Sequence, residues 1–230
     1  SMHTGLEESP DGFERMAAYF AERAAGGVGM IITGGIAPNE EGGMVFRDEN
    51  GDSVFAASKL STEAEADGHK LITGAVHAAD PDVKICMQIL HMGPLAMNDH
   101  LVAPSAVKSR ISKFTPNELD ADGIEKQIED HVNCALLAQK AGYDGVEIIG
   151  SAGYLISTFL VEKTNMRTDE YGGSYENRMR FALEVVRRCR AAVGEDFIII
   201  FRIAGMDMLE GGMSWDEVAL LARELEKVGA

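Results

Sequence analysis

A chain of 230 residues, 46% of them hydrophobic, can bury a substantial core and fits one large globular domain rather than a disordered segment. Its formal charge of −16, with no cluster of Lys and Arg of the kind that nucleic-acid affinity needs, argues against a nucleic-acid partner and reads as a solvated acidic surface. No apolar run approaches the roughly 20 residues of a membrane-crossing helix, and the N-terminus lacks the pattern of a signal peptide. A cytoplasmic protein with no membrane partner is therefore expected. Cys86, Cys134 and Cys189 are odd in number, far apart and outside any C-x-x-C pair, so they read as small core residues.

In chain order, Ser1 to Leu6 is a candidate strand end. A helix is predicted from Pro10-Asp11, with Asp11 as cap, through Phe13, Met16, Ala17, Phe20 and Ala24 until Gly26-Gly27 stops it. The apolar run Val28 to Ile32 then reads as a strand ending in Thr33-Gly34-Gly35. A helix across Thr62 to Ala79 precedes a strand from Val83 to Leu90, which ends in His91-Met92-Gly93. A third helix is predicted over Asp122 to Ala141 and a strand over Gly145 to Ile149. A fourth helix over Tyr175 to Val193 leads into a strand from Phe197 to Ile203, and a last helix spans Trp215 to Val228.

Near-continuous apolar strands separated by amphipathic helices are the pattern of a parallel sheet covered by helices. A doubly wound sheet or a (β/α)8 TIM barrel would both satisfy it. Regular units, with Gly and polar residues concentrated after the strands, favour the barrel. No G-x-G-x-x-G opens a helix after a strand, and no G-x-x-x-x-G-K-[ST] occurs. Four clear strands and a possible fifth, against the eight of a closed barrel, give an expectation of about five βα units. Residues 1–230 then form one partial barrel domain, truncated at both ends.

On such a barrel the strand ends would gather Met2, His3, Gly34, Gly35, Gln88, His91, Ser151, Tyr154 and Arg202 at one face. Adjacent glycines admit a planar ring close to backbone, an amide can read a heterocycle edge, and a guanidinium can stabilise negative charge on it. Blander readings stand beside these: a polar interior residue for Gln88, an internal salt bridge for Arg202, a tight turn for Gly34-Gly35, and loop fixing for His91. The histidines show no H-E-x-x-H and no i, i+4 pair, so no metal is assigned. No G-x-S-x-G elbow supports a serine nucleophile.

The run "AGYDGVEIIGSAGYLISTFLVEKTNMRTDEYGGSYENRMRF", residues 141–181, resembles the central signature of the Old Yellow Enzyme family of FMN-dependent oxidoreductases. "MHTGLEE", "GGIAP", "QILHMG", "HLVAPSA" and "DFIIIFRI" extend the resemblance over essentially the whole chain, towards the bacterial 2,4-dienoyl-CoA reductases. The resemblance implies FMN contacts at Ser1, Met2, His3, Gly35, Gln88 and Arg202, a proton donor at Tyr154, and a substrate contact at Lys163. It also implies an acyl-CoA substrate and, in the full-length parent, FAD, a 4Fe-4S cluster and NADPH. A tyrosine suits the donor role because a phenol ionises near pH 10 in water and stays protonated at neutral pH.

Two departures from the family pattern are visible. Ile149 and Ala152 stand where many members carry His and a second His or Asn, which disfavours simple enones. The usual H-x-G-R reads His91-Met92-Gly93-Pro94. Asp169, Asn177 and Arg178 are expected to fix the loop and the start of the helix that follows. Rival readings are an enoate reductase or amine dehydrogenase of the same superfamily, and a non-catalytic flavin-binding or interaction fragment.

Overall fold

A computed structural model describes residues 1–43 and 56–230. Six helices are named here: α1 Gly12–Ala25, α2 Glu63–Ala79, α3 Ala121–Lys140, α4 Leu155–Leu160, α5 Tyr175–Val193 and α6 Trp215–Val228. The strands are β1 Met30–Ile36, β2 Lys84–Ile89, β3 Val102–Ala103, β4 Asn117–Glu118, β5 Gly145–Gly150 and β6 Ile198–Ile203. The main sheet has the order β1-β2-β5-β6 and every pairing in it is parallel. Each step between neighbours runs through a helix, as parallel pairing demands. The architecture is α/β, with a parallel sheet that makes up part of a barrel.

Local sequence explains most boundaries. Thr62 and Ser214 each close a capping box, with Glu65 and Glu217 reaching back to the cap residue. The side chains of Asp120 and Ser174 accept from Gly123 N and Asn177 N at the starts of α3 and α5. All six residues of β5 are buried, as are five of six in β2, because helices cover one face and side chains fill the other. Phe159 and Phe181 stack with centroids 4.3 Å apart and join α4 to α5 in one core. The three cysteines are free and buried, and burial raises the Cys86 thiol to about 11.

Three local expectations need correction. Ser1 to Leu6 forms no strand: it turns back on itself, the buried Glu7 carboxylate accepting from the Thr4 hydroxyl at 2.8 Å. Asp11 stands at the cap position of α1, but its side chain makes no cap hydrogen bond, since its backbone (φ −102°, ψ 32°) is not extended. β1 does not end before Thr33-Gly34-Gly35 but runs through it to Ile36, with its register to β2 shifting between Ile32 and Gly35. The shift accommodates Thr33, whose hydroxyl accepts from Gln88 N at 3.0 Å.

Candidate active site

Strand register assembles the polar centre. Gln88 on β2 lies opposite Gly35 of β1 on one side and Glu147 of β5 on the other. Glu147 pairs with Ile200, and Arg202, two residues further along β6, shares that face of the sheet. The side chains converge accordingly. Gln88 Nε2 donates to Glu147 Oε1 at 2.5 Å and to Ser1 Oγ at 2.8 Å, while Ser1 Oγ donates to Glu147 Oε1 at 3.0 Å. Arg202 Nη1 donates to Ser1 Oγ at 2.5 Å and lies 3.8 Å from Glu147 Oε1.

A carboxylate only accepts, so Glu147 fixes the amide of Gln88 with its nitrogen inward. Gln88 Oε1 accepts no hydrogen bond among the described residues, which leaves it for a ligand N–H. With the half-exposed Arg202 guanidinium beside it, the cluster offers an acceptor and a cation in one row. That donor set fits the heterocyclic edge of a flavin.

Tyr154 stands one step away, as the cap residue of α4, with its carbonyl accepting from Thr158 N at 2.9 Å. Its half-buried side chain lines two cavities. One, of about 220 Å³, is bounded by His3, Gly35, Ala37, Leu90 and Met92. The other, of about 870 Å³, is walled by Met92, Leu95, Met97, Ile111 and Phe114. The phenol thus sits where a chamber next to the strand ends meets a larger apolar one.

Both ends of α4 are clamped. At the start, Leu155 N donates to His91 O at 3.1 Å, and Gly93 packs so closely that an added Cβ would stand 2.8 Å from Leu155 backbone. Gly93 also holds φ +55°. Before Tyr154 the chain turns through Ala152 and Gly153 at φ 62° and 76°. At the far end Asn165 Nδ2 donates to Phe159 O and Tyr171 O at 2.7 and 2.8 Å. The buried Arg178 donates to Leu160 O, Gly173 O and Glu217 at 2.7–2.9 Å. Asp169 accepts from Tyr171 N and Asn177 donates to Gly172 O, so all three motif residues fix this loop and the start of α5.

His91 is a loop-fixing residue: its Nδ1 accepts from Gly93 N at 3.1 Å, and its ring stacks on His131 with centroids 6.1 Å apart. Burial, then the neighbouring His131, holds it well below the usual histidine range. Ser1, Gln88 and Arg202 meet in the polar cluster, whereas His3, Gly35 and Tyr154 meet at the smaller cavity. His3 pairs with Glu8. Gly34 and Gly35 are required by the chain's own packing, because an added Cβ would strike Met2 O and His3 at the first and Leu90 at the second. Met2 is exposed, and its contact with the site is this backbone approach to Gly34. Lys163 is exposed on the turn after α4 and lines neither cavity at Tyr154. Glu147 escaped the sequence reading, although a carboxylate inside the apolar run of a buried parallel strand was a signal for it.

Comparison with known proteins identifies the family. The NADH:flavin oxidoreductase / NADH oxidase family matches residues 1–230, and the chain belongs to it. An NADH oxidase of Thermoanaerobacter brockii is 37% identical over 94% of this chain and 32% of its own length. A 2-naphthoyl-CoA reductase, solved with 2-naphthoyl-CoA, superposes with a TM-score of 0.82 at 29% identity, over 94% of this chain and 34% of that one. The Old Yellow Enzyme homologue of Zymomonas mobilis gives 0.78 at 29% identity, over 99% of this chain and 62% of its own. The chain therefore spans about a third of the NADH oxidase and of the naphthoyl-CoA enzyme, and the fold is that of the Old Yellow Enzyme TIM barrels.

Proposed function

We propose that the protein carrying this chain is an FMN-dependent reductase that reduces the conjugated diene of 2,4-dienoyl-CoA thioesters to a single double bond with electrons from NADPH. The observation that carries the reading is Tyr154, held by clamps at both ends of α4 between the chamber beside Gly35 and a large apolar cavity. When bound, FMN supplies the hydride chemistry. Gln88 Oε1 accepts from the ring edge, and Arg202 supplies the positive charge that favours an electron-rich ring. Ser1, Met2, His3 and Gly35 complete the wall on that side.

Tyr154 Oη holds the proton that goes to the carbon next to the thioester carbonyl. The 870 Å³ cavity takes the acyl chain along Met92, Leu95 and Met97. Ile149 is buried and apolar and Ala152 carries no polar group, so neither pins a small enone carbonyl. This favours the thioester over a simple enone. For the whole protein the reading includes FAD and a 4Fe-4S cluster as the electron path from NADPH, with Lys163 as an outlying contact to the acyl-CoA.

The test is the visible spectrum and turnover of the purified holoprotein. A flavin band, with dienoyl-CoA turnover well above that of cyclohexenone, is expected; absence of the band, even with added FMN, ends the reading. Tyr154→Phe is expected to slow the dienoyl half-reaction by about 10²–10⁴-fold relative to flavin reduction by NADPH. An unaltered dienoyl rate removes Tyr154 as the acid.

A further inference from the structure

Between His100 and Asn117 the sequence carries Lys108, Arg110 and Lys113 and no acidic residue, in a chain whose net charge is −16. Basic residues elsewhere on the surface are in several places neutralised by carboxylates. Arg188 pairs with Glu125, Glu129 and Glu184, and Lys126 with Glu41 and Asp130. The three cations of the loop are exposed, and none makes an ion pair among the described residues. They are presented by a folded loop rather than a loose one. Lys108 Nζ donates to Lys113 O at 2.9 Å, Ser112 Oγ donates to Phe114 O at 3.0 Å, and Lys113 Nζ lies 5.2 Å from the Phe114 ring centroid. The β3–β4 pairing ties the two ends of the loop together.

The position of this loop gives it meaning. Ile111, Lys113 and Phe114 line the 870 Å³ cavity that Tyr154 also lines. Of the three cations Lys113 lines the cavity itself; Glu40 and Asp99 also line it, Asp99 lying 3.3 Å from His100 Nε2, so the positive charge belongs to the loop side of this cavity. We infer that Lys108, Arg110 and Lys113 form a phosphate subsite, taking the phosphates of a ligand whose apolar end reaches Tyr154 through this cavity. Three cations are too few for a nucleic-acid duplex but match the several charges of a phosphorylated nucleotide handle. Such phosphates come from the coenzyme A portion of a thioester or from NADPH, and this assignment of the cavity's mouth rests on the proposed function.

The test uses the full-length holoprotein and a Lys108→Gln/Arg110→Gln/Lys113→Gln variant, with circular dichroism checking the fold. Coenzyme A itself, titrated by calorimetry, is expected to bind the variant about tenfold more weakly, with a shallower salt dependence. In turnover, the specificity ratio of a dienoyl-CoA thioester over the matching N-acetylcysteamine thioester is expected to fall by the same factor. If instead the NADPH-over-NADH ratio falls while the thioester ratio holds, the subsite stands and its phosphate belongs to the reductant. Equal coenzyme A affinity and unchanged ratios in both arms overturn the inference. Should the triple variant misfold, Arg110→Gln alone must shift the same ratios in the same direction, and no shift overturns the inference equally. Charge-dependent coenzyme A binding by a protein that holds no flavin retains the subsite while removing the proposed function.

Discussion

Glu147 is the residue on which the polar centre turns. It orients the Gln88 amide and partly balances Arg202, both from the floor of the sheet. Glu147→Gln removes the balancing charge and gives Gln88 Nε2 an ambiguous partner. The potential of bound flavin is therefore expected to rise, on the order of 30 mV for each 1.4 kcal/mol by which Arg202 favours the reduced ring. Spectroelectrochemistry of the holoprotein reads this directly, and Glu147→Asp should restore most of the original value. A potential that does not move would leave Glu147 with a packing role only.

At the scale of elements, α4 is a six-residue helix too short to be stable alone, and its placement comes from what grips it. Gly93 is the most constrained part of that grip, combining a left-handed φ with contact against Leu155 backbone. Gly93→Ala is expected to cost about 1–2 kcal/mol in denaturant unfolding and to lower dienoyl turnover further, by displacing Tyr154. Unchanged stability would show that the contact between Gly93, in the loop after β2, and the start of α4 yields more readily than its geometry implies. The motif "TDEYGGSYENRMRF" acts on the same element from its other end, through Arg178 and the neighbouring Asn165. Its diagnostic value in sequence thus comes from a structural task.

For the molecule as a whole, three buried histidines set a pH dependence. Burial holds His69, His91 and His131 below their ordinary range, His69 at about 4. Unfolding exposes imidazoles that take a proton near pH 6.5, so the unfolded state binds more protons between pH 6.5 and about 4. Stability is therefore full above that window and falls as pH is lowered through it, by about 3 kcal/mol at pH 4 from His69 alone. Urea midpoints measured from pH 8 to 4 check this, and His69→Phe, which loses the bond to Tyr143, should show a shallower slope. A midpoint independent of pH down to 5 would contradict it.

The parallel α/β order was legible in the chain, because buried parallel strands are apolar throughout and the helices between them carry a periodic face and their own caps. The positions of β2, β5, β6, α2, α3, α5 and α6 follow within a residue or two from those local rules. Ser1 to Leu6 and α4 did not, since their conformations depend on contacts with Gly34 and with the loops after β2 and β5, far away in sequence. Sequence also named Gln88, Arg202 and Tyr154 through a family resemblance. Only the tertiary structure decided that Gln88 and Arg202 share a buried carboxylate, because strand register, a long-range property, brings Glu147 between them.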